Sequence, residues 1–203
     1  MGVQERRARE KEGIREEILD AARTLFVKEG YESVSIRKIA EKIEYSPGTI
    51  YLYFQDKAEI LFEICTQTFA KLERNLSAIF EDNADTLECL RRGLRVYIQF
   101  GLENPNHYMI TFVLPGPPRP KPEDFMKCTV GGRCFGFLVQ GVENAMRDGK
   151  IKSGDVNEIA QALWAGMHGV TTLLISCGEF PFVEHNRLVD RVIDTLIEGI
   201  RTR

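Results

Sequence analysis

The sequence predicts an all-α protein: an N-terminal three-helix unit followed by a longer C-terminal part of six helices. Three observations predict it. Apolar residues recur at three- and four-residue spacing along most of the 203 positions, the period of a helix that buries one face. Helix punctuation is dense, with capping Ser35 and Ser46, Pro47 at a first helical position, and Gly149 and Gly178 where the period stops. Strand signals are few. No run approaches the roughly 18 apolar residues that span a bilayer, and no secretory leader opens the chain. A soluble cytoplasmic protein with no membrane partner is expected.

The chain begins with a tail, Gln4 to Gly13, that mixes charges of both signs without apolar periodicity. It reads as an extension, residues 1–12, of the first helix. A second helix opens at Ser35, whose hydroxyl can accept from a free first-turn amide, and Ile39, Ala40 and Ile43 form its buried stripe. Ser46 offers the next cap and Pro47 fits a position where a missing N–H costs nothing, which leaves only Glu44 and Tyr45 as the turn. So short a connection makes the third helix cross the second steeply. Ile50 and Phe54 then pack inward while Pro47, Gly48, Thr49, Tyr51 and Tyr53 project outward. This is the layout of a DNA-reading helix-turn-helix. Small residues allow close approach to a groove, Thr49 can hydrogen-bond or offer its methyl to thymine, and tyrosine hydroxyls can donate to phosphate oxygens. Packing alone accounts for Ile39, Ala40, Ile43, Ile50 and Phe54, and Tyr31 and Tyr45 read as structural. Burying every aromatic of so short a helix would leave it no solvent face.

The stretch from about residue 13 to residue 60 resembles the DNA-binding domain of the tetracycline-repressor (TetR) family. The matching residues are Ala21, Ala22, Leu25, Phe26, Gly30 and Tyr31 at the end of the first helix, the cap Ser35, the pair Ile39 and Ala40, Gly48 through Tyr51, Tyr53 and Phe54, and Lys57 at the start of a long helix. The resemblance implies that Ser35, Arg37, Thr49, Tyr51, Tyr53 and Lys57 touch double-stranded DNA, with Pro47 and Gly48 at the groove floor. It implies a DNA-binding domain over residues 1–57 and a ligand-binding and dimerisation domain over 58–203. There is one departure: the family usually has Gly where Glu44 stands, at a left-handed helix end, and a Glu there carries strain of about 1 kcal/mol.

Charge must act locally. The formal net charge is −3, unlike the basic balance of a general nucleic-acid binder. Through residue 57, eleven Lys or Arg stand against eleven Asp or Glu, so affinity rests on placed cations such as Arg37 and Lys57. Arg6, Arg7 and Arg9 could serve as a minor-groove arm, but the Glu residues between them weaken that attraction. Five cysteines, Cys65, Cys89, Cys128, Cys134 and Cys177, form an odd set without a CxxC pair. Reduced thiols, with no metal site and no cofactor, are the expectation.

Beyond residue 57 helical period continues from Lys57 to about Phe80, then from about Thr86 to Glu103, and through a short helix after Asn104 and Pro105 to Leu114. Residues 115–122 hold five of the eight prolines and predict a stiff, extended surface loop. Helices follow from about Glu123 to Asp148, Asp155 to Cys177, and Glu184 to the end. The eighth helix carries Trp164, Gly166, His168 and Gly169, a Trp-x-Gly-x-His-Gly pattern similar to one subgroup of TetR-type C-terminal domains. Its small residues allow close helix packing, and Leu163, Val170 and Leu174 with Leu188, Val192 and Leu196 of the ninth helix form half of a dimeric four-helix bundle; the resemblance implies that homodimer. It also implies a small-molecule inducer, for which Tyr97, Phe100, Tyr108, Phe112, Phe135, Trp164 and His168 are candidates, with Phe137 nearby. Few charges occur among them, so the ligand is expected to be apolar or aromatic. The expected function is repression of transcription at a palindromic operator, relieved by that ligand; the competing reading is a ligand-independent, nucleoid-associated helical dimer. Nucleophile and metal-ligand spacings are missing, so an enzyme is not expected.

Overall fold

The computed structural model describes residues 2–80, 85–116 and 129–202. The order is α1 (Val3–Glu29), α2 (Ile36–Lys42), α3 (Pro47–Tyr51), α4 (Lys57–Phe80), α5 (Thr86–Glu103), α6 (Pro105–Tyr108), a π-helical turn (Met109–Val113), α7 (Val130–Arg147), α8 (Val156–Ser176) and α9 (His185–Ile200). Among the described residues no β-strand forms, only an isolated antiparallel bridge between Ile151 and Arg201. The predicted all-α class holds. The loop expected over 115–122 is described only at Pro115 and Gly116; its remainder, the expected helix start at Glu123, and Cys128 lie outside the described residues.

Caps explain most element boundaries. Thr129 accepts from the Gly132 amide ahead of α7, Asp155 from Glu158 ahead of α8, and Glu184 from Asn186 and Arg187 ahead of α9. Each removes an orphan donor of a helix start. Gly149 has φ +67, the left-handed position that closes α7. The final helix stops at Ile200 instead of running to the end, because the chain turns extended at Arg201. There Lys152 donates its amide to Ile200 and Thr202 donates to Lys150 across the bridge.

The chain divides into two compact units, Met1–Thr68 with Asn106–Arg119, and Phe69–Pro105 with Pro120–Arg203. In the first, Ile18, Leu19, Ala22 and Phe26 of α1 pack with Ile39 and Ala40 of α2, Ile50, Phe54, and Ile60, Leu61 and Ile64 of α4. Ile110 from the π-helical turn joins them. This core explains why the unit reaches beyond the boundary expected at residue 57: the first turns of α4 bury their apolar face in it.

In the second unit α5 packs against α7, α8 and α9, and α8 packs against both α7 and α9. Gly166 sits where α8 meets α9. A Cβ there would lie 2.7 Å from Leu196 Cδ2, so only glycine permits this approach without moving Leu196. Arg91 and Arg95, one turn apart on α5, pair with Asp194 and Asp190 of α9.

Candidate nucleic-acid interface

The interface is built by two short, capped helices on a buried base. Ser35 Oγ accepts from the Lys38 amide at 3.3 Å and fixes the start of α2. Lys38 Nζ then binds the Glu29 carboxylate at 2.6 Å and the Ser33 carbonyl at 3.2 Å, tying α2 to the end of α1. This ion pair holds the Glu29 carboxyl below the usual carboxylate range. Helix α2 ends at the tight turn the sequence predicts, and Glu44 adopts φ +59, the left-handed conformation expected there.

Ser46 opens α3, with its Oγ accepting from the Thr49 amide at 3.2 Å and meeting Thr49 Oγ1 at 3.0 Å. Pro47 occupies the first turn, as expected. The helix is shorter than the sequence suggests: after Tyr51 the chain tightens, with Leu52 donating to the Thr49 carbonyl at 3.1 Å and Tyr53 to Ile50 at 2.9 Å. Five residues give the helix dipole little length over which to act, so recognition falls to side chains. Ile50 and Phe54 are buried, and Tyr51 stands 58% exposed. Gly48 is open, whereas Pro47 and Thr49 are half-covered.

Tyr53 differs from its expected outward position: it is half-buried and packs on the apolar core, because the tight turn after Tyr51 rotates it off the exposed face. Leu52 takes the outward place at 77% exposure; helical periodicity carried through Phe54 concealed it. Arg37 is exposed on α2. Lys57 reaches inward, its Nζ donating to the Tyr31 carbonyl at 2.7 Å and lying 4.1 Å from the Tyr31 ring centroid. That ring packs on Phe26, so Tyr31 is structural as expected. Lys57 thus braces the segment ahead of α2 with one of its three donors.

The second unit gathers part of the aromatic set. Trp164 Nε1 donates to Tyr97 Oη at 3.1 Å, and Tyr97 Oη meets His168 Nδ1 at 3.3 Å. The Phe135 ring stands edge-on to Trp164 at 6.1 Å. Burial keeps His168 below the ordinary histidine range and hence neutral. Phe100 is buried in the same unit, whereas Tyr108 and Phe112, whose rings lie 4.9 Å apart, belong to the first. The seven candidates therefore do not form one cluster within either unit.

Of the six positions expected at a dimer seam, Leu163, Val170 and Leu174 lie in the protomer's own core. With Met167 they make one stripe of α8, and that stripe faces inward. Leu188, Val192 and Leu196 are half-buried, and Leu173, which the sequence did not single out, is 50% exposed. Cys134 is a buried thiol and Cys177 an exposed one; burial pushes the Cys134 thiol up to about 12. Among the described residues no three His, Cys, Asp or Glu side chains group to hold a metal, and no helix is long and apolar enough to cross a membrane.

Residues 18–64 match the family model of bacterial regulatory proteins, tetR family, and residues 90–196 match the tetracyclin repressor-like C-terminal domain. The chain belongs to the TetR family. This TetR-family chain is 30% identical over 95 residues to an HTH-type transcriptional regulator of Haemophilus influenzae, across 47% of the chain and 51% of the relative. It is 28% identical over 90 residues to an HTH-type transcriptional regulator of Staphylococcus aureus (strain bovine RF122 / ET3-1), across 44% and 49%. The chain spans about half the length of the curated relatives it matches. A tetR-family regulatory protein from Rhodococcus RHA1 superposes with a TM-score of 0.75 at 18% identity, over 93% of this chain and 97% of that one. At that identity the likeness is one of fold. The matched families and relatives are regulators, not enzymes.

Proposed function

We propose that this TetR-type chain is a sequence-specific DNA-binding transcriptional repressor that acts as a homodimer on a palindromic operator and is released by a small apolar or aromatic ligand. The observation that carries the reading is the exposed tip of the helix-turn-helix: Tyr51 stands outward on a capped α3 whose reverse side, through Ile50 and Phe54, is locked into the core. A reading head needs that combination of rigid backbone and exposed side chain. Ser35, Arg37, Pro47, Gly48, Thr49 and Tyr51 supply the contacts, while Tyr53 and Lys57 chiefly hold the geometry.

Homodimerisation through α8 and α9 draws support from exposed Leu173 and half-buried Leu188, Val192 and Leu196. The two-fold then demands paired half-sites one helical repeat apart. The Trp-x-Gly-x-His-Gly pattern supports a proposed kinship of the second unit with the corresponding subgroup, and the Tyr97, Phe135, Trp164 and His168 cluster, neutral and mostly aromatic, is the proposed contact for the ligand. Helix α4 carries residues of both units and is the proposed route by which ligand binding changes the spacing of the two reading heads.

Selection of bound fragments from random double-stranded DNA tests this. A palindrome enriched by the chain and released on titration with uncharged aromatic compounds is the expected result. Salt-sensitive binding with no enriched sequence overturns the reading in favour of a nucleoid protein.

A further inference from the structure

Resting on that reading, we infer that Leu52 contacts the 5-methyl group of a thymine, so that each operator half-site carries an A·T pair recognised by apolar contact. Leu52 is the most exposed large apolar side chain among the described residues, at 77%. A lone surface leucine needs no explanation, but Tyr45 at 37% and Tyr51 at 58% are exposed within eight positions of it. Its backbone is fixed, since Leu52 and Tyr53 both donate back into α3 and the buried Ile50 and Phe54 flank them. A fixed, exposed apolar group at this tip is positioned for a partner.

The chemistry of the tip narrows what that partner is. Guanine is read by Arg or Lys, adenine by Asn or Gln, and cytosine by a carboxylate, whereas the thymine methyl is read by apolar contact. From Pro47 through Phe54 the chain holds none of those polar readers. Gln55 lies beyond this stretch, in the cap of α4, where its backbone N–H donates to the Glu59 carboxylate and the Glu59 N–H donates to Asp56. Of the nearby cations Lys38 is held by Glu29, Lys57 by the Tyr31 carbonyl, Arg15 by Glu63 and Arg23 by Asp20, while Arg37 stands exposed on α2. Phosphate attraction is therefore modest, and selectivity falls to hydroxyl and methyl contacts.

Replacing thymine with deoxyuridine removes only the methyl group, position by position, from the duplex the wild-type chain selects. A uridine in one half-site should weaken wild-type binding about fourfold, the worth of one buried methyl, and the same replacement in both half-sites about fifteenfold. The Leu52→Ala variant, exposed enough to leave the thermal midpoint unchanged, should bind the thymine and uridine duplexes equally. Two results overturn the inference while leaving DNA recognition intact: wild-type affinity indifferent to uridine at every position, or a thymine preference that survives in Leu52→Ala. If the wild-type chain selects no sequence, the underlying reading fails and takes the inference with it.

Discussion

The two units use similar aromatic residues in opposite ways. In the first, Tyr51 is held outward by a short helix whose start is fixed by Ser46 and whose back is fixed by Ile50 and Phe54. In the second, Tyr97 is buried, and its hydroxyl is saturated by Trp164 and His168 of the same chain. An aromatic group presented to solvent on a rigid frame is available to a partner at once. One already hydrogen-bonded inside a unit answers a ligand only by exchanging those bonds. The first arrangement suits reading and the second suits response, and substitutions in the two units should separate the roles.

The largest effect is expected from the frame of the first unit. Phe54→Ala should cost about 3 to 5 kcal/mol of stability through lost burial and a residual cavity, read by urea unfolding with far-ultraviolet circular dichroism, and should abolish operator binding. Tyr51→Ala should change stability by no more than about 0.5 kcal/mol while lowering operator affinity at least about tenfold, a loss of about 1.4 kcal/mol. In the second unit Tyr97→Phe leaves the Trp164 and His168 partners without their shared oxygen and should cost about 1 to 3 kcal/mol, with no direct effect on the reading face.

The Tyr97, Trp164 and His168 cluster should also show pH dependence. Because burial depresses the His168 pKa, the unfolded chain takes up this proton before the folded chain does. Its contribution is therefore level above about pH 6.5 and turns destabilising as pH falls through the lowered folded value. His168→Gln should flatten the acid side of a stability profile measured from about pH 8 down to about pH 5. The smallest effect belongs to the turn: Glu44→Gly at φ +59 should stabilise by about 0.5 to 1 kcal/mol in thermal unfolding.

Where the chain carries its own local instructions, the sequence is readable. Ser35, Ser46 and Pro47 define helix starts by hydrogen bonds three residues long, so α2, the turn and α3 follow from the residues themselves, including the left-handed Glu44. The spans of α4 and α5 are equally plain because one apolar stripe runs through each. Tyr53, expected outward, turns toward the core, and Leu52, for which the sequence carried no expectation, stands outward, because the end of α3 is decided by tightening against the core, not by a cap. Leu163, Val170 and Leu174 were expected at a partner and lie inward for a related reason: periodicity tells that a stripe is buried, not whether its own chain or a second copy buries it. The aromatic set divides for the same reason. Tyr108 and Phe112 have the spacing of a helix wall, yet the unit they join depends on tertiary packing around α1 and the π-helical turn.

The most direct measurement of the central claim is the ratio of affinities for the selected palindrome and a scrambled duplex, taken at one salt concentration for the wild-type chain and Tyr51→Ala. A ratio of at least about a thousand for the wild type, typical of specific recognition, that collapses in Tyr51→Ala while the thermal midpoint stays unchanged is the predicted result. An equal ratio in both proteins, or wild-type binding indifferent to sequence, would contradict the assignment of recognition to the exposed face of α3.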